Sequence, residues 1–182
     1  LKSTGVVLDR ELFLTLILLG QVYSSLPDFP NARRVLAQAR ERLPAANIGL
    51  SVDDQHRNTA NLLSSEGYFY GQAGLFGLEL KAAQLRHAIE KKIVPADPIS
   101  MSDSLLRLGK AFCKTGEFAS AESCLNDALV FLSEQRLPNH FQRIRTIGQL
   151  ATVCSRRGEN KKAVEIRANA LDYALHHVGR NS

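Results

Sequence analysis

Residues 105–128 read LLRLGKAFCKTGEFASAESCLNDA. Two helices and a turn are written into that stretch. Leu105, Leu108 and Phe112 recur at i, i+3 and i+7, so they share one face of a first helix. Gly109 follows the second of them, and its missing side chain lets a partner helix come close. Gly116 then marks a turn. Phe118, Ala121, Leu125 and Ala128 follow as a second helix with small residues on its inner face.

The same marks recur along the chain. Forty-two positions before Gly109 stands Gly67, with Tyr70, Gly74 and Phe76 at the matching offsets. An earlier copy runs Phe13, Leu16, Leu19, Gly20, Tyr23, Phe29, Ala32, Leu36 and Ala39. A later one runs Ile144, Ile147, Leu150, Ala151, Cys154, Gly158, Ala163 and Ala170. Starts fall near residues 13, 60, 102 and 144, in steps of 47, 42 and 42. Each hairpin alone leaves an apolar side exposed, and stacking buries those sides as one core. The expected fold is all-α, an α-solenoid of four helical hairpins.

The spacing resembles the tetratricopeptide repeat (TPR) family. The family's marks stand as Leu-Gly-x-x-Tyr at 19–23 and Leu-Gly-x-x-Phe at 108–112, with the downstream alanines. The third copy matches strongly and the first well. The second carries Glu79 and Arg86 where alanines are expected, and the fourth lacks the Gly and the aromatic. The resemblance spans roughly residues 13–177 and implies that the α-solenoid is a right-handed superhelix. The usual unit is about 34 residues, so extra residues lengthen helices or loops here. This long unit is similar to that of kinesin light chain and of scaffold proteins that bind peptides along an inner groove.

Residues 1–8 read as an N-terminal tail or the remnant of a preceding element. Residues 9–182 read as a single TPR-like domain, with repeats near 13–43, 60–93, 102–136 and 144–178. Asp9 is positioned to cap the first helix, and the second helix should stop before Pro44. Ser51 with Asp54, and Asn139 with Gln142, carry capping-box spacing. Pro95 and Pro98 punctuate a linker ahead of a helix at about 102–115. The chain begins without Met, which reads as a fragment of something larger.

Composition narrows the class. A hydrophobic share of 45% and a charged share of 23% are those of a soluble globular protein. The apolar run Leu12–Leu19 is far short of the roughly 20 residues that span a bilayer, so no membrane role is expected. Three cysteines with no C-x-x-C pair indicate a reducing compartment, hence an intracellular protein, cytoplasmic or nuclear. A net charge of +5 favours acidic partners. The basic residues are dispersed along helices, so nucleic acid is not the expected partner.

In the TPR family the first helices line a concave groove. Arg107, Lys110 and Lys114 share one face of a first helix at i, i+3 and i+7. The next first helix offers Arg145, Gln149, Thr152 and Arg156. The two faces should be neighbours and form a basic stripe suited to carboxylates or phosphate oxygens. Long basic side chains also do no more than solvate a helix face in many proteins. Nearer the N-terminus, Gln21 and Tyr68 fall at groove positions beside Ile17, Ser24 and Ser65. Tyr68 could stack on a partner or pack against the neighbouring repeat. A family subgroup grips chaperone tails with a Lys and an Asn, but Ile17 and Gln21 occupy those places here.

Arg156, Arg157, Lys161 and Lys162 cluster about the last turn, either as a solvated loop or as a contact for an acidic protein or phosphate. No G-x-S-x-G, H-E-x-x-H or P-loop occurs, and no catalytic site, cofactor or metal is expected. His176 and His177 are adjacent and point to different helix faces. The expected function is a protein–protein interaction module, an adaptor or scaffold, that binds a peptide or helix in a partly basic groove. The alternative is a structural section of a longer TPR solenoid that scaffolds a multisubunit assembly. That alternative predicts exposed apolar faces on the terminal helices. The sequence instead reads Val164, Leu171, Leu175 and Val178 as packing inward.

Overall fold

The computed structural model describes residues 2–94, 97–133 and 139–177, with side chains from residue 7 onward. Among these residues there are eight α-helices and no strand. They are α1 (Lys2–Ser25), α2 (Phe29–Ala46), α3 (Val52–Gln72), α4 (Phe76–Glu90), α5 (Pro98–Thr115), α6 (Phe118–Ser133), α7 (His140–Arg156) and α8 (Asn160–His177). Consecutive helices pair as four hairpins, α1 with α2 through α7 with α8. The all-α helical repeat read from the sequence is the architecture present.

The chain forms two compact units, Leu1–Ala96 and Asp97–Ser182. Within the first, α3 packs on both α1 and α2; within the second, α7 packs on both α5 and α6. Phe13, Leu16, Ile17, Val35 and Leu62 form a core in the first unit. Leu106, Cys113, Ala121, Leu125 and Val153 form one in the second. Cys113 and Cys154 are buried among apolar groups, and desolvation raises both thiols above their ordinary value.

Small residues set the hairpins. A methyl group added at Gly20 would lie 2.6 Å from Leu36 Cδ2, and one at Gly109 would lie 2.8 Å from Leu125 Cγ. Ala151, at the same repeat position, is fully buried. Gly74, Gly116 and Gly158 turn the chain with φ of 74°, 87° and 86°, a conformation that favours glycine. The second hairpin departs from the pattern in a compensated way. Glu79 replaces the usual alanine, and Gly71 makes room for it: a methyl group there would sit 2.8 Å from the Glu79 carboxylate. Arg86 replaces the next alanine and pairs with Glu90 at 3.5 Å, both nearly buried.

Several boundaries differ from the sequence reading. Helix α1 begins at Lys2, so residues 2–8 are its first turns rather than a tail. Asp9 lies inside it and binds Arg42 at 2.8 Å instead of capping. Helix α2 continues through Pro44 to Ala46. Proline has no N–H, but in a last turn this removes a single bond, to the carbonyl of Arg40. Helix α5 starts at Pro98, because the Asp97 carboxylate accepts from Ile99 N and Ser100 N and the fixed φ of proline suits the first helical position. The Ser51–Asp54 and Asn139–Gln142 caps are present, with backbone bonds of 3.1 and 3.0 Å.

Helix α8 corrects a larger point. Ala163 and Ala170 face its hairpin partner, whereas Val164, Leu171 and Leu175 are 68%, 62% and 63% exposed. The close helix pairing selects small residues for the inner face, which turns the large apolar ones outward. Val178 lies outside the described residues.

Candidate functional site

In the second unit the predicted basic stripe falls on two helices that pack together, α5 and α7. Arg107, Lys110 and Lys114 are half-buried on α5; Arg145 and Arg156 are exposed on α7, with Gln149 and Thr152 half-buried between them. The stripe is ordered by its own contacts. The Asp103 carboxylate accepts from Arg107 Nε at 2.9 Å, one helical turn away. The Arg145 guanidinium lies 5.8 Å from the Phe141 ring, and Phe141 is itself 71% exposed. Arg156 donates to the carbonyl of Cys113 at 3.3 Å and so ties the end of α7 to α5. Thr152 spends its hydroxyl proton on the Gly148 carbonyl, 3.0 Å away. Gln142 Nε2 donates to Ser102 Oγ across the same pair of helices at 3.4 Å.

In the first unit Gln21 and Tyr68 tie α1 to α3. Gln21 donates to Ser65 Oγ at 2.7 Å, and the Tyr68 hydroxyl lies 3.1 Å from that of Ser25. Ile17, read as a groove position, is buried in the core instead. Behind these helices Glu66 on α3 is nearly buried and accepts from Arg40 Nε at 2.9 Å. That hydrogen bond raises the Arg40 pKa against the opposing effect of desolvation.

Of the cluster about the last turn, Arg157 and Lys162 join an ion network, whereas Arg156 is the residue that binds the Cys113 carbonyl. Glu122 on α6 binds Arg157 at 2.7 Å and Lys162 at 3.5 Å, and Glu159 binds Arg157 at 2.9 Å. The charge of Glu122 holds the Lys162 ammonium above its usual pKa. A further cluster escaped sequence reading. His140 Nδ1 lies 2.7 Å from the Tyr173 hydroxyl, and the His140 and His177 rings stack 5.0 Å apart. Tyr173 and His177 are one turn apart on α8, but only the hairpin register brings His140 to them. Among the described residues, no three His, Cys, Asp or Glu side chains are placed to share a metal ion, and no helix is long and apolar enough to cross a membrane.

Comparison with solved structures places this architecture. The chain resembles a variant crystal structure of the nearly identical TPR-like repeats of a Podosopora anserina protein classed as a kinesin light chain. The TM-score is 0.67 at 16% identity, covering 93% of this chain and 77% of that one. A second crystal structure of those repeats gives a TM-score of 0.56 at 14% identity, covering 93% and 98%. The chain therefore has a TPR-like helical repeat fold. No protein-family model matches it, and no curated protein matches it.

Proposed function

We propose that this chain is a protein-interaction module whose α5/α7 face receives an acidic segment of a partner. The observation that carries this reading is the packing of α5 against α7, which gathers Arg107, Lys110, Arg145 and Arg156 along two adjacent helices. Lysine and arginine on a fixed backbone suit carboxylates, and arginine offers paired donors. Phe141, exposed beside Arg145, adds an aromatic surface for an apolar neighbour of the acid. In the first unit, Gln21 on α1 and Tyr68 on α3 are proposed separately as polar partner contacts. Helical-repeat folds present extended surfaces of this kind, and binding proteins is their ordinary use.

A second reading is favoured by a specific observation. Leu14, Leu18 and Val22 lie at i, i+4 and i+8 on α1 and are exposed; Val164, Leu171 and Leu175 are exposed on α8. Apolar stripes on the first and last helices suit a section of a longer solenoid or scaffold, packed between neighbours. Affinity capture with the intact chain and with a Lys110→Glu/Arg145→Glu variant separates the two. Loss of the captured protein in the variant, with an unchanged helical melt, supports the α5/α7 face. Capture that survives the reversals and is lost with Leu18→Glu or Leu171→Glu supports the scaffold.

A further inference from the structure

The repeats provide an internal control that exposes a second surface. In the second unit the gap beside the last hairpin turn is closed by Glu122, Arg157, Glu159 and Lys162, joined by ion pairs of 2.7 to 3.8 Å. At the equivalent repeat positions of the first unit stand Arg33, Ala73, Leu75 and Leu78. No network forms there. The gap remains a groove of about 620 Å³ between α2 and α4, with Phe29, Phe69 and Tyr70 also lining it. Its volume lies within the roughly 300–1,000 Å³ of ligand-binding clefts.

Two features set the groove apart from an accident of packing. First, it departs from a polar rule kept elsewhere in the chain. The position of Leu75 is Asp28, Glu117 and Glu159 in the other three repeats, and that of Leu78 is Asn31, Ser120 and Lys162. Asp28 caps α2 through Asn31 N, whereas Leu75 at the same place gives α4 no side-chain cap. Leu75 and Leu78 are each 46% exposed, so the chain forgoes a cap and leaves two leucines in water. Second, the groove carries one charge. Arg33 is exposed at its edge and has no ion-pair partner among the described residues. Its counterpart Glu122 holds two cations.

We infer that the α2/α4 groove of the first unit docks a partner peptide in which bulky apolar side chains are followed directly by a carboxylate. The apolar side chains would cover Leu75, Leu78 and the aromatic floor, and the carboxylate would pair with Arg33. Burial supplies the affinity, and the charge fixes the direction of the peptide. This surface lies in a different unit from the α5/α7 face and does not depend on it.

The test titrates the intact chain with three labelled peptides: acetyl-Gly-Leu-Phe-Glu-Glu-Gly, the same peptide with both glutamates replaced by lysine, and the same peptide with the Leu-Phe pair replaced by Ser-Ser. Anisotropy gives the affinity, and NMR shifts give the site. The first peptide is expected to bind at least about tenfold more tightly than either control, at concentrations up to about 1 mM. Its shifts should fall on Tyr70, Leu75 and Leu78. Arg33→Glu, an exposed change that leaves the melt near that of the parent, should reverse the preference toward the lysine peptide. Leu78→Lys, which brings in the residue of the second unit, should abolish binding. Lys110→Glu/Arg145→Glu should leave this binding intact, so the two surfaces can fail separately. Equal binding of the Leu-Phe and Ser-Ser peptides, no binding of any, or a preference untouched by Arg33→Glu would overturn the assignment.

Discussion

Gly109 sits where α5 and α6 come closest. A side chain there has nowhere to go: its first carbon would meet Leu125 Cγ at 2.8 Å and the backbone oxygen of Ala121 at 3.2 Å. The oxygen belongs to the helix itself and cannot rotate away. Gly109→Leu should therefore destabilise the protein by about 1–3 kcal/mol or more through overpacking. Thermal melts of parent and variant check this, and an unchanged midpoint would mean that α5 and α6 do not approach at Gly109. Leu75 tests the opposite direction. It occupies the N-cap of α4 without a cap bond, and an aspartate there should accept from the first-turn N–H groups as Asp28 does for α2. Leu75→Asp should stabilise the chain by about 0.5–2 kcal/mol in urea unfolding. The same change places a charge in the proposed groove, so a more stable protein that no longer binds the apolar–acidic peptide is the joint expectation.

The helical hairpin is the element that the sequence specifies most fully. Its marks are local: a glycine or alanine for close approach, an aromatic one turn later, a glycine at the turn. Those spacings placed the turns of all four hairpins, and the Ser51 and Asn139 caps, within a residue or two, but they missed the starts of α1 and α5 and the end of α2 by three to seven residues. What escaped depends on contacts between distant positions. Pro98 reads as punctuation until Asp97 is seen bonding the backbone behind it. The stripe Val164, Leu171, Leu175 is apolar enough to look like core, but the tight pairing of α7 and α8 reserves the inner face for Ala163 and Ala170. At the candidate site, helical spacing alone grouped Arg107, Lys110 and Lys114, whereas the ties of Tyr68 to Ser25 and Arg156 to Cys113 require the register of neighbouring hairpins. The second hairpin shows register acting on sequence. Gly71 answers Glu79 across the α3–α4 pairing. Gly→Ala gains about 1 kcal/mol in a helix interior and less in a last turn, where Gly71 stands. Gly71→Ala should be close to neutral in the parent, because the Glu79 carboxylate must be displaced. In a Glu79→Ala background a gain of a few tenths up to about 1 kcal/mol should appear, a coupling that a double-mutant cycle measures directly. Strict additivity would show that the two residues do not share that space.

At the scale of the whole molecule, the charge of +5 acts before any contact forms. A basic protein draws an acidic partner over about one Debye length, roughly 30 Å at 0.01 M salt, and the pull shortens as added ions screen it. Lys110→Glu with Arg145→Glu removes two charges at each site, so the formal net charge falls from +5 to +1. Both effects, the long-range field and the local pairing at the α5/α7 face, are then weakened together, and salt separates them. Steering appears in the association rate and disappears at high ionic strength; a desolvated charge pair appears in the dissociation rate and persists. For the captured partner, the double variant should associate about tenfold more slowly at low salt, with the gap closing toward about 1 M, where the Debye length is near 3 Å. The dissociation rate should remain faster at every salt concentration, because removing one member of a buried charge pair costs about 2–5 kcal/mol. Stopped-flow or surface-binding kinetics over a salt series would show both. A change confined to the association rate would mean that the face attracts the partner without holding it, and the exposed apolar stripes of α1 and α8 would then be the holding surfaces.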